Sequence, residues 1–284
     1  MAAENHQIVG KANPMLGKRI LSAAIFIPAC LLVVIAGGWV FILTAVIILG
    51  LGSWEFWRMF KEAEYSPNAT ILIGGTVCLT LSKTLPGIDL TAIIFSCLIL
   101  ISMAFHTLAY ERGTTTAGID LCFTLGGLIY VGWLGSYIVA LRFLPEGLYW
   151  IVLAILGVGI SDIGAYLIGS MIGRHKISAK VSPSKSLEGY VGGILCASLF
   201  GYIFGTLVHP VSTHINADNG LLLTSIVSIF ALLGDLGESM LKRQFNLKDS
   251  SNLIPGHGGI LDRVDTWLWA GVISYYLITW LWIK

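Results

Sequence analysis

The sequence predicts an all-α polytopic integral membrane protein of about nine transmembrane helices, with its functional site near the cytoplasmic side of the C-terminal half. The mean hydropathy of the 284 residues is +0.82 and only 12% of them are charged, a composition that a soluble domain could not carry without aggregating. The apolar residues also gather in runs close to the roughly 20 that an α-helix needs to cross the hydrocarbon. These observations exclude a soluble enzyme, and no nucleic-acid partner is expected.

Residues 1–19 are mostly polar and form a cytoplasmic tail. The apolar run after them is too long for the core of a cleavable signal peptide and lacks a small-residue cleavage site, so it is expected to stay as a signal anchor. Nine runs cover about 20–37, 39–57, 68–86, 90–109, 119–142, 148–171, 188–208, 219–240 and 266–283. The first two adjoin through Gly37 and Gly38, but together they exceed one crossing, so they count as two. Residues 20–142 make an N-terminal region of about five helices, whose sequence offers no chemistry comparable to that of the C-terminal half. Residues 148–284 make a C-terminal region of about four, with cytoplasmic loops at 172–187 and 241–265, where the functional chemistry is expected.

Charge sets the orientation. With the N-terminus inside and the C-terminus outside, fourteen of the 17 Lys and Arg residues face the cytoplasm, and only Lys83, Arg142 and Lys284 lie outside. Cys30, Cys78, Cys97, Cys122 and Cys196 each fall in an apolar run with no C-x-x-C pair, and read as small buried hydrophobes rather than disulfide or metal partners.

Four stretches carry polar chemistry. In GISDIGAYLIGSMIGRHK, Asp162 lies inside an apolar helix, where a carboxylate usually faces a partner, a cation or a wet cavity; the plainer reading is a bond to Ser161 or a neighbouring helix. Gly164, Gly169 and Gly173 there read as close-packing positions. In KVSPSKSLEGYVGG, the hydroxyls of Ser182, Ser184 and Ser186, with Lys185 and Glu188, open a helix. Free N–H groups and the helix dipole there suit a phosphate, although the same residues also make an ordinary helix start.

In GDLGESMLKRQFNLKDSSN, Asp235 and Ser239 are i and i+4 on one face, Lys242 and Arg243 come a turn later, and Glu238 is near enough to contribute. Such a stripe suits a divalent metal and the phosphates it bridges; membrane anchoring would explain the two cations but not Asp235. The last stretch is NLIPGHGGILDRVD. Gly256, Gly258 and Gly259 permit close backbone approach, Asp262 and Asp265 share a face if the ninth helix has begun, and Arg263 suits a phosphate or lipid headgroup. His257 could coordinate or donate a proton. Hard oxygen ligands without nearby Cys favour Mg²⁺ over zinc.

The run ESMLKRQFNLKDSSNLIPGHGGILDRVD resembles the signature of the CDP-diacylglycerol synthases, or phosphatidate cytidylyltransferases: Ser-x-x-Lys-Arg, Lys-Asp, Pro-Gly-His-Gly-Gly, then Asp-Arg-x-Asp. SDIGAY and KVSPSKSLEGYVGG also look like that family's upstream elements. Ser186-Leu187 stands where Thr-Trp is common, and Gly237 where a large apolar residue is common. The resemblance implies transfer of a cytidylyl group from CTP to phosphatidic acid, with Asp235, Ser239, Asp262, Lys242 and Arg243 in the catalytic centre. It implies metal ligands among Asp235, Asp262, Asp265 and Asp162, for one Mg²⁺ or two. Ser184, Lys185, Ser186, Glu188, Lys248, Asp249, His257, Gly258, Gly259 and Arg263 are then expected to bind substrate. A homodimer in a bacterial inner membrane is implied as well. A CTP-using lipid kinase and an ion-coupled transporter are the rival readings; the first needs a base for a hydroxyl acceptor, the second a matching site in an inverted first half.

Overall fold

The computed structural model describes residues 28–85, 90–253 and 258–283. Its helices are α1 (28–36), α2 (Gly38–Glu62), α3 (Ala69–Ser82), α4 (Thr91–Glu111), α5 (Ala117–Arg142), α6 (Gly147–Ile172), α7 (Leu187–Val208), α8 (Ala217–Gln244) and α9 (Leu261–Leu281). Among the described residues, six of these are long and apolar enough to cross a membrane: α2, α4, α5, α6, α7 with the 3₁₀ turn after it, and α8. The chain is therefore an all-α polytopic membrane protein in its spans. α3 has 14 residues, and at about 1.5 Å per residue it falls short of a hydrocarbon core about 30 Å thick.

Local chemistry sets the boundaries. Gly37 takes a left-handed backbone (φ 61°) between α1 and α2, separating the two adjoining apolar runs. Asn68, Ser186 and Asn216 cap α3, α7 and α8, each side chain accepting from the backbone N–H three residues on. α5 contains a π-helical turn at Leu128–Trp133. Two expectations need correction. The loop at 172–187 holds a two-stranded antiparallel hairpin, β1 (Lys176–Ser178) with β2 (Ser182–Ser186), so the fold is not helical throughout. The ninth helix begins at Leu261, not near 266, because Asp262 sits in its first turn where the helix dipole favours a carboxylate.

α7 packs between α6 and α8, and α9 lies against α8. Small residues let these backbones meet. A Cβ on Gly164 would stand 2.8 Å from that of Cys196, and side chains at Gly201 and Gly220 would each collide with the carbonyl of the facing helix. Gly169 and Gly173 likewise face Ser186, as close packing requires. A second cluster joins α2, α3, α5 and α9 through Leu49, Phe56, Phe60, Leu72, Val131 and Leu268, with Phe60 stacked on Phe123 at 4.0 Å. The five cysteines are free thiols; Cys78, Cys97 and Cys122 lie on exposed helix surfaces rather than buried, since a helix facing lipid has no need to hide a thiol.

Away from the site, Glu146 ties two loops together. Its carboxylate accepts from the Ser212 hydroxyl and from the N–H (2.8 Å) and hydroxyl (2.9 Å) of Thr213. Burial pushes its pKa up, but the hydrogen bonds from Ser212 and Thr213 outweigh this and hold it below the usual carboxylate range. A carboxylate with a lowered folded value stabilises the protein above the unfolded range and loses that contribution as pH falls. Glu146→Gln is expected to lower Tm by about 2 °C at pH 7. The gap between variant and parent should close below about pH 4.3, measured by thermal unfolding in detergent across pH.

Candidate active site

α8 carries the centre of the site. Asp235 and Ser239 lie one turn apart, and the Ser239 hydroxyl donates to Asp235 Oδ1 at 3.3 Å. Lys185, at the end of β2, reaches across to donate to Asp235 Oδ2, an ion pair between residues 50 apart in sequence. Both side chains are partly exposed, so the pair is not sealed inside the protein. One turn on, Lys242 is almost buried and bridges two carboxylates, Glu238 Oε2 at 2.6 Å and Asp262 Oδ1 at 2.5 Å. Burial makes this lysine essential to its neighbours, because two close carboxylates without a cation between them would repel in a medium that screens little.

Asp262 anchors the beginning of α9. Its Oδ2 accepts from Gly259 N (2.7 Å), Ser250 N (3.0 Å) and Ser250 Oγ (3.1 Å), while Oδ1 takes Lys242. Gly258 adopts φ +81°, and a Cβ there would stand 2.6 Å from Asp262 Oδ2, so glycine is required for both reasons. Asp265, one turn further, is buried and lies within electrostatic reach of Asp235, Asp162 and Lys242. Close packing brings it there: a Cβ on Gly234 would meet the Trp269 ring at 2.6 Å and the Asp265 carbonyl at 3.1 Å. Asp162, on α6, has an exposed side chain and feels Lys185, Asp235 and Arg263.

Two further groups face the same carboxylates. The Tyr130 hydroxyl, in the π-helical turn of α5, is buried without a hydrogen-bond partner among the described residues, and so is Glu238 Oε1. Asp265, Glu238 and Asp235 all act electrostatically on Tyr130. Orphaned polar atoms beside a cluster of carboxylates suit a site that binds polar molecules, since a dry void would leave them unsatisfied.

The structure thus assembles Lys185, Asp235, Ser239, Lys242, Asp262, Asp265 and Asp162 from α6, β2, α8 and α9. Other expected residues fall outside this set, although Arg263 acts electrostatically on Asp162 and Asp249 stands beside Gly258. Arg243 is exposed and turns back to donate to the Leu247 carbonyl at 3.1 Å, closing the end of α8. Glu188 accepts from the N–H groups of Arg174 (3.0 Å) and His175 (3.2 Å) and pairs with the His175 ring, which fastens the base of the hairpin. Ser186 is occupied as the cap of α7. Ser184, Lys248, Asp249 and Arg263 are exposed, and His257 lies outside the described residues. At Gly237 a side chain would meet open space, so its departure from the usual large residue costs no packing.

Sequence reasoning missed Tyr130 and, more consequentially, Glu55. The Glu55 carboxylate is fully buried in α2 and accepts four bonds from the loop before α9 and the beginning of that helix. The signal was present in GSWEFW: a carboxylate in an apolar run, the feature that singled out Asp162. The N-terminal half therefore does contribute chemistry to the site.

Comparison with known proteins adds an independent line. The model of the cytidylyltransferase family matches residues 17–281. The chain is similar to the phosphatidate cytidylyltransferase of Synechocystis sp., at 33% identity over 92% of this chain and 96% of that one. It is also similar to the proteins of that name from Staphylococcus haemolyticus, at 40% identity, and Staphylococcus aureus strain COL, at 39%. Those two alignments each cover 60% of this chain and 64% of the relative.

Proposed function

We propose that this chain, which belongs to the cytidylyltransferase family, transfers the cytidylyl group of CTP to phosphatidic acid, giving CDP-diacylglycerol and pyrophosphate. The observation that carries the reading is the partly exposed Lys185–Asp235 pair, which sets a cation and a carboxylate from distant segments where a nucleotide phosphate chain would meet both. A phosphatidate oxygen, already ionised near neutral pH, attacks the α-phosphorus. The bond from that phosphorus to the oxygen bridging to the β-phosphate breaks, and pyrophosphate leaves with the electron pair. No activated Ser or Cys is needed; the protein must align the two phosphates and neutralise charge. Lys185 would leave Asp235 to meet the triphosphate, Ser239 would hold the Asp235 carboxylate in place, and Lys242 would keep Asp262 and Glu238 from repelling.

Among the described residues no three His, Cys, Asp or Glu side chains gather into a ready-made metal site. The donors nevertheless fit Mg²⁺, which commonly takes one or two carboxylates and completes its shell with substrate phosphates and water. Asp235 and Asp265, with Asp162 beside them, are the carboxylates that would hold it. Asp262 would first have to release a protein donor. When bound, the ion would neutralise phosphate charge and favour loss of pyrophosphate.

The finer topology belongs to the same proposal: nine crossings, the short α3 crossing where the bilayer thins around it, N-terminus inside and C-terminus outside, in a bacterial inner membrane, as a homodimer. With that orientation CTP arrives from the cytoplasm and the lipid enters laterally between helices. The test is pyrophosphate release by detergent-purified protein given CTP and phosphatidic acid, with and without Mg²⁺; release without phosphatidic acid, or none at all, would overturn the reading. In the same assay Lys185→Ala should raise the KM for CTP about tenfold with a smaller change in kcat. An unchanged KM would return the hairpin to a purely structural role.

A further inference from the structure

We infer that Glu55 is the positioning residue that holds Asp262 and the opening of α9 in working geometry, a role that rests on the cytidylyl-transfer reading above. Glu55 lies about 200 residues before the signature stretch, on α2, and its side chain is buried beneath that stretch. One oxygen, Oε1, accepts from Ser251 Oγ at 2.5 Å and Ile260 N at 2.9 Å. The other, Oε2, accepts from Ser250 Oγ at 3.0 Å and Leu261 N at 2.7 Å. Two of these donors are N–H groups at the beginning of α9, which have no carbonyl within their own helix, and no side chain of α9 caps them. Glu55 supplies that cap from another helix, and as a full negative charge it also meets the positive end of the α9 dipole.

The link to Asp262 is direct. The Ser250 hydroxyl lies between the two carboxylates, 3.0 Å from Glu55 and 3.1 Å from Asp262, while the Ser250 and Gly259 N–H groups donate to Asp262. Glu55 therefore holds both the residue that bears these donors and the helix that bears Asp262. Gly259 leaves room for this: a Cβ there would stand 2.6 Å from Glu55 Oε2 and would collide with the Ser250 hydroxyl. A carboxylate is needed because all four partners are donors, the single Ser250 hydroxyl proton being shared between Glu55 and Asp262. An amide would turn an NH₂ group toward two of them and force the loop or the helix terminus to move.

The experiment compares Glu55→Gln and Ser250→Ala with the parent in detergent, measuring kcat and KM for CTP per folded molecule and amide hydrogen exchange in a peptide covering 258–265. Glu55→Gln is expected to lower kcat about 10- to 100-fold with little change in the KM for CTP, because misplacement of a reacting group by a fraction of an ångström acts on the transition state. Exchange at 258–265 should quicken in the same variant. Ser250→Ala should lower kcat too, and the double variant should be no worse than Glu55→Gln alone, since both act along one path. Unaltered kcat per folded molecule, or multiplying effects in the double variant, would overturn the inference; should Glu55→Gln fail to fold, Ser250→Ala decides on kcat and exchange. An inactive parent whose exchange still responds to Glu55→Gln would sink the reaction reading and leave the structural link standing.

Discussion

Asp235→Asn is expected to reduce pyrophosphate release about a thousandfold or more with the fold intact. Asparagine keeps the volume and can still accept from Ser239, and the lost pair with Lys185 is partly exposed, worth under about 1 kcal/mol to stability. What disappears is the charge, which the proposed centre needs for its metal and for the switch of Lys185 onto CTP. Size-exclusion behaviour and Tm should match the parent while turnover vanishes. Near-normal turnover would remove Asp235 from the centre. Asp262→Asn differs in kind, because an amide there would face backbone donors at Ser250 and Gly259, so stability and activity should fall together.

Lys242→Ala is expected to be the most destabilising substitution in the site, by about 3–5 kcal/mol, and to abolish turnover. It strands Glu238 and Asp262 as largely buried carboxylates that have lost the cation between them. Adding Glu238→Gln should restore much of the lost Tm, because one carboxylate no longer opposes the other, yet leave activity absent. Thermal unfolding of the three proteins in detergent checks this; equal Tm for the single and double variants would mean the lysine does not hold the two carboxylates together.

Much of the membrane layout and of the α8 face was legible because the relevant spacings are local. Asp235 and Ser239 share a face by helical period alone, and Asp262 with Asp265 likewise once the helix begins at Leu261. The hairpin was not legible: SPSKS has neither alternation nor β-branched residues, and its pairing with Lys176–Ser178 depends on the helices that flank it. Arg243 parts from its neighbour Lys242, which turns inward while it turns out, a difference of about 100° that a short motif does not display. Glu55 and Tyr130 were hidden for the opposite reason. Their partners lie far along the chain, and only tertiary packing reveals what an isolated polar residue in an apolar run is for.

The glycine contacts that let α6, α7 and α8 meet backbone to backbone make those three helices mechanically stiff, because a carbonyl against a Cα has no rotamer to give. α4 is the contrary case, with only 11% of its apolar window covered by protein. When the surrounding bilayer thickens or thins, elastic strain will therefore be absorbed by tilt of α4 at the periphery, and the aspartates will keep their spacing in whatever lipid the enzyme's own product goes on to build.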